Sequence, residues 1–115
     1  MSITRLHGNQ RMSQIVIHGD CVYLAGQVAA DPSADIAEQT RQVLQKIDDL
    51  LAEAGSDHSK ILSAQIWLTS IGHFSQMNEV WDSWVPAGHA PARACIEARL
   101  ASPDLLVEIG VIAAR

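Results

Sequence analysis

Arg93 and Glu108 are the two residues of this sequence whose chemistry is hardest to explain as ordinary surface polarity. Each stands in an alternating run. In residues 92–100, Arg93, Cys95, Glu97 and Arg99 alternate with Ala92, Ala94, Ile96, Ala98 and Leu100. In residues 105–113, Glu108 has the parity of Leu106, Gly110 and Ile112, against Val107, Ile109, Val111 and Ala113. A period of two is that of a β-strand, whose successive side chains point to opposite faces. If both apolar sets pack on one core, Arg93 and Glu108 share the other side of the sheet. A guanidinium there can grip a carboxylate through two parallel hydrogen bonds. A lone carboxylate in an apolar run must be paired or is a candidate proton handler. A structural salt bridge from Glu108 to Arg93 or Arg99 is the simpler reading on periodicity, and the pattern does not separate the two.

Other chemistries find less support. The histidines (His7, His18, His58, His73, His89) lack the paired spacing of zinc ligands, and no metal site is expected. There is no glycine-rich phosphate loop and no Gly-x-Ser-x-Gly elbow. Cys21 and Cys95 read as reduced thiols rather than a disulfide. Cys95 beside Arg93 has the makings of a reactive thiol, but a small strand residue explains it as well.

Several elements must position these residues. Residues 12–25 place Ile15-Val16-Ile17 and Cys21-Val22-Tyr23-Leu24-Ala25 around His18-Gly19-Asp20, which predicts a β-hairpin; residues 3–6 add an edge strand. Ile36, Val43, Leu44, Ile47, Leu50, Leu51 and Ala54 follow helical spacing. Ser33 or Asp35 is the expected cap, Glu38 completes a capping box with Asp35, and Gly55 is the stop. Residues 61–68 form a strand with Leu62, Ala64, Ile66 and Leu68 on one face and Ser63, Gln65 and Trp67 on the other. Phe74, Met77, Val80, Trp81 and Trp84 mark a second helix ending before Pro86, and its aromatic stripe reads as core.

The order βββαβαββ predicts an α+β two-layer sandwich with both helices on one face of the sheet. The second face then lacks cover within the chain, and a partner subunit in closed symmetry is the simplest answer. The 115 residues are read as one domain, 1–115, with 48% hydrophobic and 18% charged residues. A net charge of -5 without any basic run opposes nucleic-acid binding. Neither a signal-like amino terminus nor a membrane span is evident, so a cytoplasmic location without membrane partners is expected.

The run Pro91-Ala92-Arg93-Ala94-Cys95-Ile96-Glu97-Ala98-Arg99-Leu100, followed by Val107-Glu108-Ile109, resembles the signature of the Rid family, the YjgF-type reactive intermediate deaminases. Tyr23-Leu24-Ala25-Gly26-Gln27-Val28 is similar to the family's strand ending in Ser-Gly-Gln. Glu38-Gln39-Thr40 resembles its first-helix opening, and Phe74-Ser75-Gln76-Met77-Asn78 its second-helix asparagine. The resemblance implies a chorismate-mutase-like homotrimer with sites in clefts between subunits. It implies hydrolysis of 2-imino or 2-amino-enoic acids to 2-keto acids and ammonium, without a cofactor. The arginine matching Arg93 binds the substrate carboxylate, and the glutamate matching Glu108 positions the water. Backbone at Gly26 and Cys95 helps hold the ligand, and Asn78 lies near the pocket.

The resemblance has one gap. Typical members carry Gly-Pro-Tyr-Ser-Gln near the amino terminus, the tyrosine reaching a neighbour's pocket; here the stretch is Gln10-Arg11-Met12-Ser13-Gln14. Arg11 and Met12 resemble a branch with an arginine and a bulky apolar residue before the serine, which places Met12 at the substrate. The segment after Arg93 is also one residue shorter than usual. A keto-acid-binding or regulatory trimer without turnover is therefore the alternative to a deaminase. Nuclease and translation-inhibitor roles attributed to some relatives fit the acidic charge less well.

Overall fold

The computed structural model describes all 115 residues. Strands β1 (Ile3–Leu6), β2 (Ile15–His18) and β3 (Cys21–Leu24) form an antiparallel meander. The β2–β3 turn is two residues long, and Gly19 takes φ +60° there, which costs a glycine little. β4 (Gln27–Val28) continues the line of β3 after a break at Ala25-Gly26. Helix α1 (Ile36–Glu53) and strand β5 (Ile61–Leu68) follow, then helix α2 (Phe74–Trp84), β6 (Ala92–Glu97) and β7 (Val107–Ala114).

The sheet order is β1-β2-β3-β7-β5-β6, with β4 also on β7. β3, β4 and β5 are all antiparallel to β7, while β6 is parallel to β5. The parallel neighbours β5 and β6 need a crossover, which α2 supplies, while α1 carries the chain from β4 past β7 to β5. Both helices cover one face of this mixed sheet, the α+β arrangement expected from the order of elements.

Asp35 caps α1, its Oδ1 accepting from the Glu38 N–H at 2.9 Å. The reciprocal half of the capping box does not form; Glu38 instead accepts from Arg41 and Gln42. Ser33 is bound to Asp31 and is not the cap. Gly55, at φ +81°, ends the helix as expected, with Ser56 N–H returning to the Leu51 carbonyl at 2.8 Å.

Buried apolar side chains form one contiguous cluster of 21 residues, drawn from α1, α2 and the helix side of the sheet. Each fully buried Ile, Leu or Val contributes roughly 1.5–3 kcal/mol. In β5 the expected face assignment fails at one residue. Ile61 is buried and Leu62 is exposed, because an irregularity between Ile61 and Ser63 inserts an extra residue opposite β7 and shifts the alternation. Strand β6 also stops at Glu97 rather than running to Leu100; the Ala98 N–H makes the last ladder bond, to the Leu68 carbonyl.

Candidate active site

Strand register decides which side chains can meet. In β6, Arg93 pairs with Ala64 and Cys95 with Ile66, both core residues of β5. Ala94 and Ile96 pair with Gln65 and Trp67 and point away from the helices, leaving Ile96 55% exposed. In β7, Glu108 lies between Val28 and Trp67 on that same helix-free face. The expectation that Arg93 and Glu108 share one side of the sheet is therefore wrong. Arg93 is on the helix side, Glu108 on the open side, and β5 runs between their strands. The parity rule failed because β6 is an edge strand whose apolar set faces the uncovered side.

Arg93 owes its surroundings to α2. Phe74, Asn78 and Trp81 stand four and three residues apart, hence on one helical stripe. Asn78 Oδ1 accepts from Arg93 Nη1 at 2.8 Å, and the guanidinium carbon lies 5.2 Å from the Trp81 ring centre and 5.8 Å from that of Phe74. The aromatic stripe is only partly core: Met77 and Trp81 are buried, whereas Phe74 is exposed and Trp84 partly so. No carboxylate pairs with Arg93, whose remaining N–H groups are free. Burial pushes the neighbouring Cys95 thiol up from its usual range, and the Arg93 charge pulls it part of the way back.

Glu108 sits over the break between β3 and β4. A Cβ on Gly26 would overlap its carboxylate and lie 3.0 Å from its Cδ, so only glycine lets this side chain lie where it does. Neither a hydrogen bond nor an ion pair engages the Glu108 carboxylate within the chain. The break itself is braced by Gln27, a buried side chain whose amide donates to Gln14 Oε1 at 2.8 Å and to the Ala25 carbonyl at 3.0 Å.

A second buried amide, Gln39, aims β7. Its Nε2 donates to the Asp104 and Ala34 carbonyls at 3.0 Å, and its Oε1 accepts from the Leu106 N–H at 2.9 Å. That ties α1 to the turn entering the strand of Glu108. Sequence reasoning assigned neither glutamine a role. Both stand in the motif segments Gly26-Gln27 and Glu38-Gln39-Thr40, and Gln39 also lies one turn beyond Ile36 on the apolar side of α1.

Met12 is exposed in a turn where Asn9 Oδ1 accepts from the Arg11 and Met12 N–H groups at 2.7 and 3.0 Å. None of the protein's five main concavities is lined by Arg93, Asn78, Met12 or Glu108. One of them, a depression of about 320 Å³ on the open face, holds Tyr23, Gly26, Trp67 and Ile112. No three His, Cys, Asp or Glu side chains converge as metal ligands would, and no helix is long and apolar enough to cross a membrane.

A family model described as Endoribonuclease L-PSP matches residues 2–115. A RutC family protein of Haemophilus ducreyi is 46% identical over 112 residues, covering 97% of this chain and 96% of its own. The chain belongs to the YjgF/RutC family. Another RutC family protein, YoaB of Escherichia coli strain K12, is 43% identical over 114 residues, with 99% of both chains covered. The crystal structure of a YjgF family member from Neisseria meningitidis superposes with a TM-score of 0.96 at 44% identity, covering 100% of this chain and 96% of that one. The fold described above is thus the chorismate-mutase-like fold of YjgF proteins, as the motif resemblance implied.

Proposed function

We propose that this chain hydrolyses 2-imino and 2-enamino acids to 2-keto acids and ammonium, at sites shared between copies of a homotrimer. The observation that carries the reading is that a guanidinium, Arg93, and a carboxylate, Glu108, each without an oppositely charged partner, stand on opposite sheet faces of a family member. One copy would supply Arg93 and Asn78; its neighbour would supply Glu108 and Gly26. Tyr23, at 44% exposed, with Ile96 and Ile112, gives the open face an apolar surface suited to a second subunit.

Arg93 takes the substrate carboxylate as a bidentate, charge-assisted pair, fixing the adjacent C=N carbon. The Cys95 backbone and Gly26 line the position of that carbon. Glu108 accepts a proton from water as the oxygen bonds to the protonated imine carbon and returns it to the nitrogen of the resulting carbinolamine. As the C–N bond breaks the hydroxyl closes to C=O, and its proton passes through Glu108 to the departing amine, so that iminium and water become keto acid and ammonium. Imines already hydrolyse in water, so a sparse site without a cofactor suffices.

The test generates 2-imino acids in situ with an amino-acid oxidase and follows their loss with and without the protein. Faster loss is expected; no acceleration with small, aliphatic and aromatic imines overturns the reading. The exposed thioether of Met12, at the place where the resembling motif has a tyrosine, favours a second reading, a keto-acid-binding trimer without turnover. Keto-acid binding with no acceleration would select it.

A further inference from the structure

The support of Arg93 does not end at Trp81. Trp81 is 4% exposed, and its ring packs at 5.3 Å and 52° against Trp84. The Trp84 indole N–H donates to Asp48 Oδ2 of α1 at 3.0 Å. The other oxygen, Asp48 Oδ1, meets His58 Nδ1 at 2.6 Å, and the His58 ring lies against Trp84 at 4.8 Å and 54°. One carboxylate thus anchors an indole and an imidazole that pack on each other. Trp84 cannot turn without losing both contacts, and Trp81 is held against it.

We propose that Asp48 and Trp84 are positioning residues that hold Trp81 against Arg93 and so pre-form the carboxylate clamp. The inference rests on the reading of Arg93 as the group that binds substrate. Its physical basis is the choice of partners. An acidic partner would occupy the N–H fork and compete with a substrate carboxylate, whereas an aromatic ring attracts the cation without consuming a donor. Asn78 takes one N–H, the rings restrain the rest of the side chain, and the remaining donors stay available. Restraining a long side chain before binding removes an ordering cost from the binding step.

The test uses the full-length protein and the variants Trp84→Phe, Asp48→Asn, Trp81→Phe and Trp81→Leu. Trp84→Phe keeps an aromatic ring and deletes the N–H to Asp48. Two readouts are taken on each variant: the NMR shift of the Arg93 Nε–H, which reports ring currents, and the Kd for 2-oxobutanoate by calorimetry. Trp81→Leu should weaken keto-acid binding about fivefold, with Trp81→Phe recovering part of the loss. Trp84→Phe and Asp48→Asn should weaken it about two- to threefold and move the Arg93 resonance towards its value in Trp81→Leu. In turnover of the matching imine, KM should rise while kcat stays within about twofold. If Trp81→Leu does not fold, Trp84→Phe and Trp81→Phe decide. An unmoved Arg93 resonance with unchanged Kd in those folded variants overturns the proposal. A shifted resonance in a protein that binds no keto acid upholds the positioning of Arg93 and overturns its reading as the clamp.

Discussion

Arg93 and Glu108 lie on opposite faces of one sheet, on strands β6 and β7 that flank β5. With neighbouring strands about 4.8 Å apart, the two side chains diverge from backbones roughly 10 Å apart and cannot flank one small molecule within a chain. A site using both must join two copies. In the proposed homotrimer, co-refolding Arg93→Ala with Glu108→Gln should therefore regain activity that neither variant has alone. Random mixing restores about a quarter of the sites in a cyclic trimer. Imine hydrolysis measured on the mixture checks this; an inactive mixture of verified heterotrimers contradicts a shared site.

Separate roles for the pair predict separate kinetics. Glu108→Gln keeps the shape but loses the proton acceptor, so kcat should fall about 10²- to 10⁴-fold while keto-acid binding stays near wild type. Arg93→Ala should lose the binding itself. Steady-state kinetics with calorimetry on both variants makes the comparison.

Gly26→Ala tests the seat of Glu108. The added methyl would occupy the space of the Glu108 carboxylate, which can swing away because it ends a flexible side chain on the open face. Activity should fall towards that of Glu108→Gln while the thermal midpoint drops by only a few degrees, about 1 kcal/mol. Parallel turnover and thermal melts decide. Full activity in Gly26→Ala would show that Glu108 needs no such seat.

Gln39 predicts a stability effect distinct from catalysis. Gln39→Leu would leave the half-buried Leu106 N–H without its side-chain acceptor, costing about 1–3 kcal/mol, while the carbonyl of the exposed Asp104 can turn to water. Urea unfolding should show a lower midpoint with an unchanged slope.

The Cys95 thiol supplies a pH prediction. Burial raises its pKa, so folding favours the neutral thiol; that contribution is present below the ordinary thiol value of about 8.5 and is lost as pH rises through the raised value. Alkylation of Cys95 by iodoacetamide, followed by peptide mass spectrometry, should have a midpoint above that of free cysteine. Arg93→Gln removes the charge that lowers it and should move the midpoint further up. A midpoint at or below the free-thiol value contradicts the assignment.

The helices, the hairpin turn at Gly19, the Asp35 cap and the Gly55 stop were legible because each depends on residues within a few positions of one another. The identities of Arg93 and Glu108 were legible for a related reason: each is a charge set in a run whose parity is local. Which face each parity occupies was not. Alternation defines two sets of side chains but leaves open which set meets the core, and a shift of one residue exchanges them. In β6 the apolar set lies on the face without helices, while Arg93 and Cys95 turn towards α2 and the core. Only the pairing of Arg93 with Ala64, and the packing of Phe74, Asn78 and Trp81 around it, decided the matter. The same holds for Gln39 and Asp48, whose partners lie 65 and 36 residues away in Asp104 and Trp84. Local sequence determined what the elements are and where charged residues interrupt their apolar runs; tertiary packing decided which faces those residues share, because that depends on contacts between strands and helices far apart in the chain.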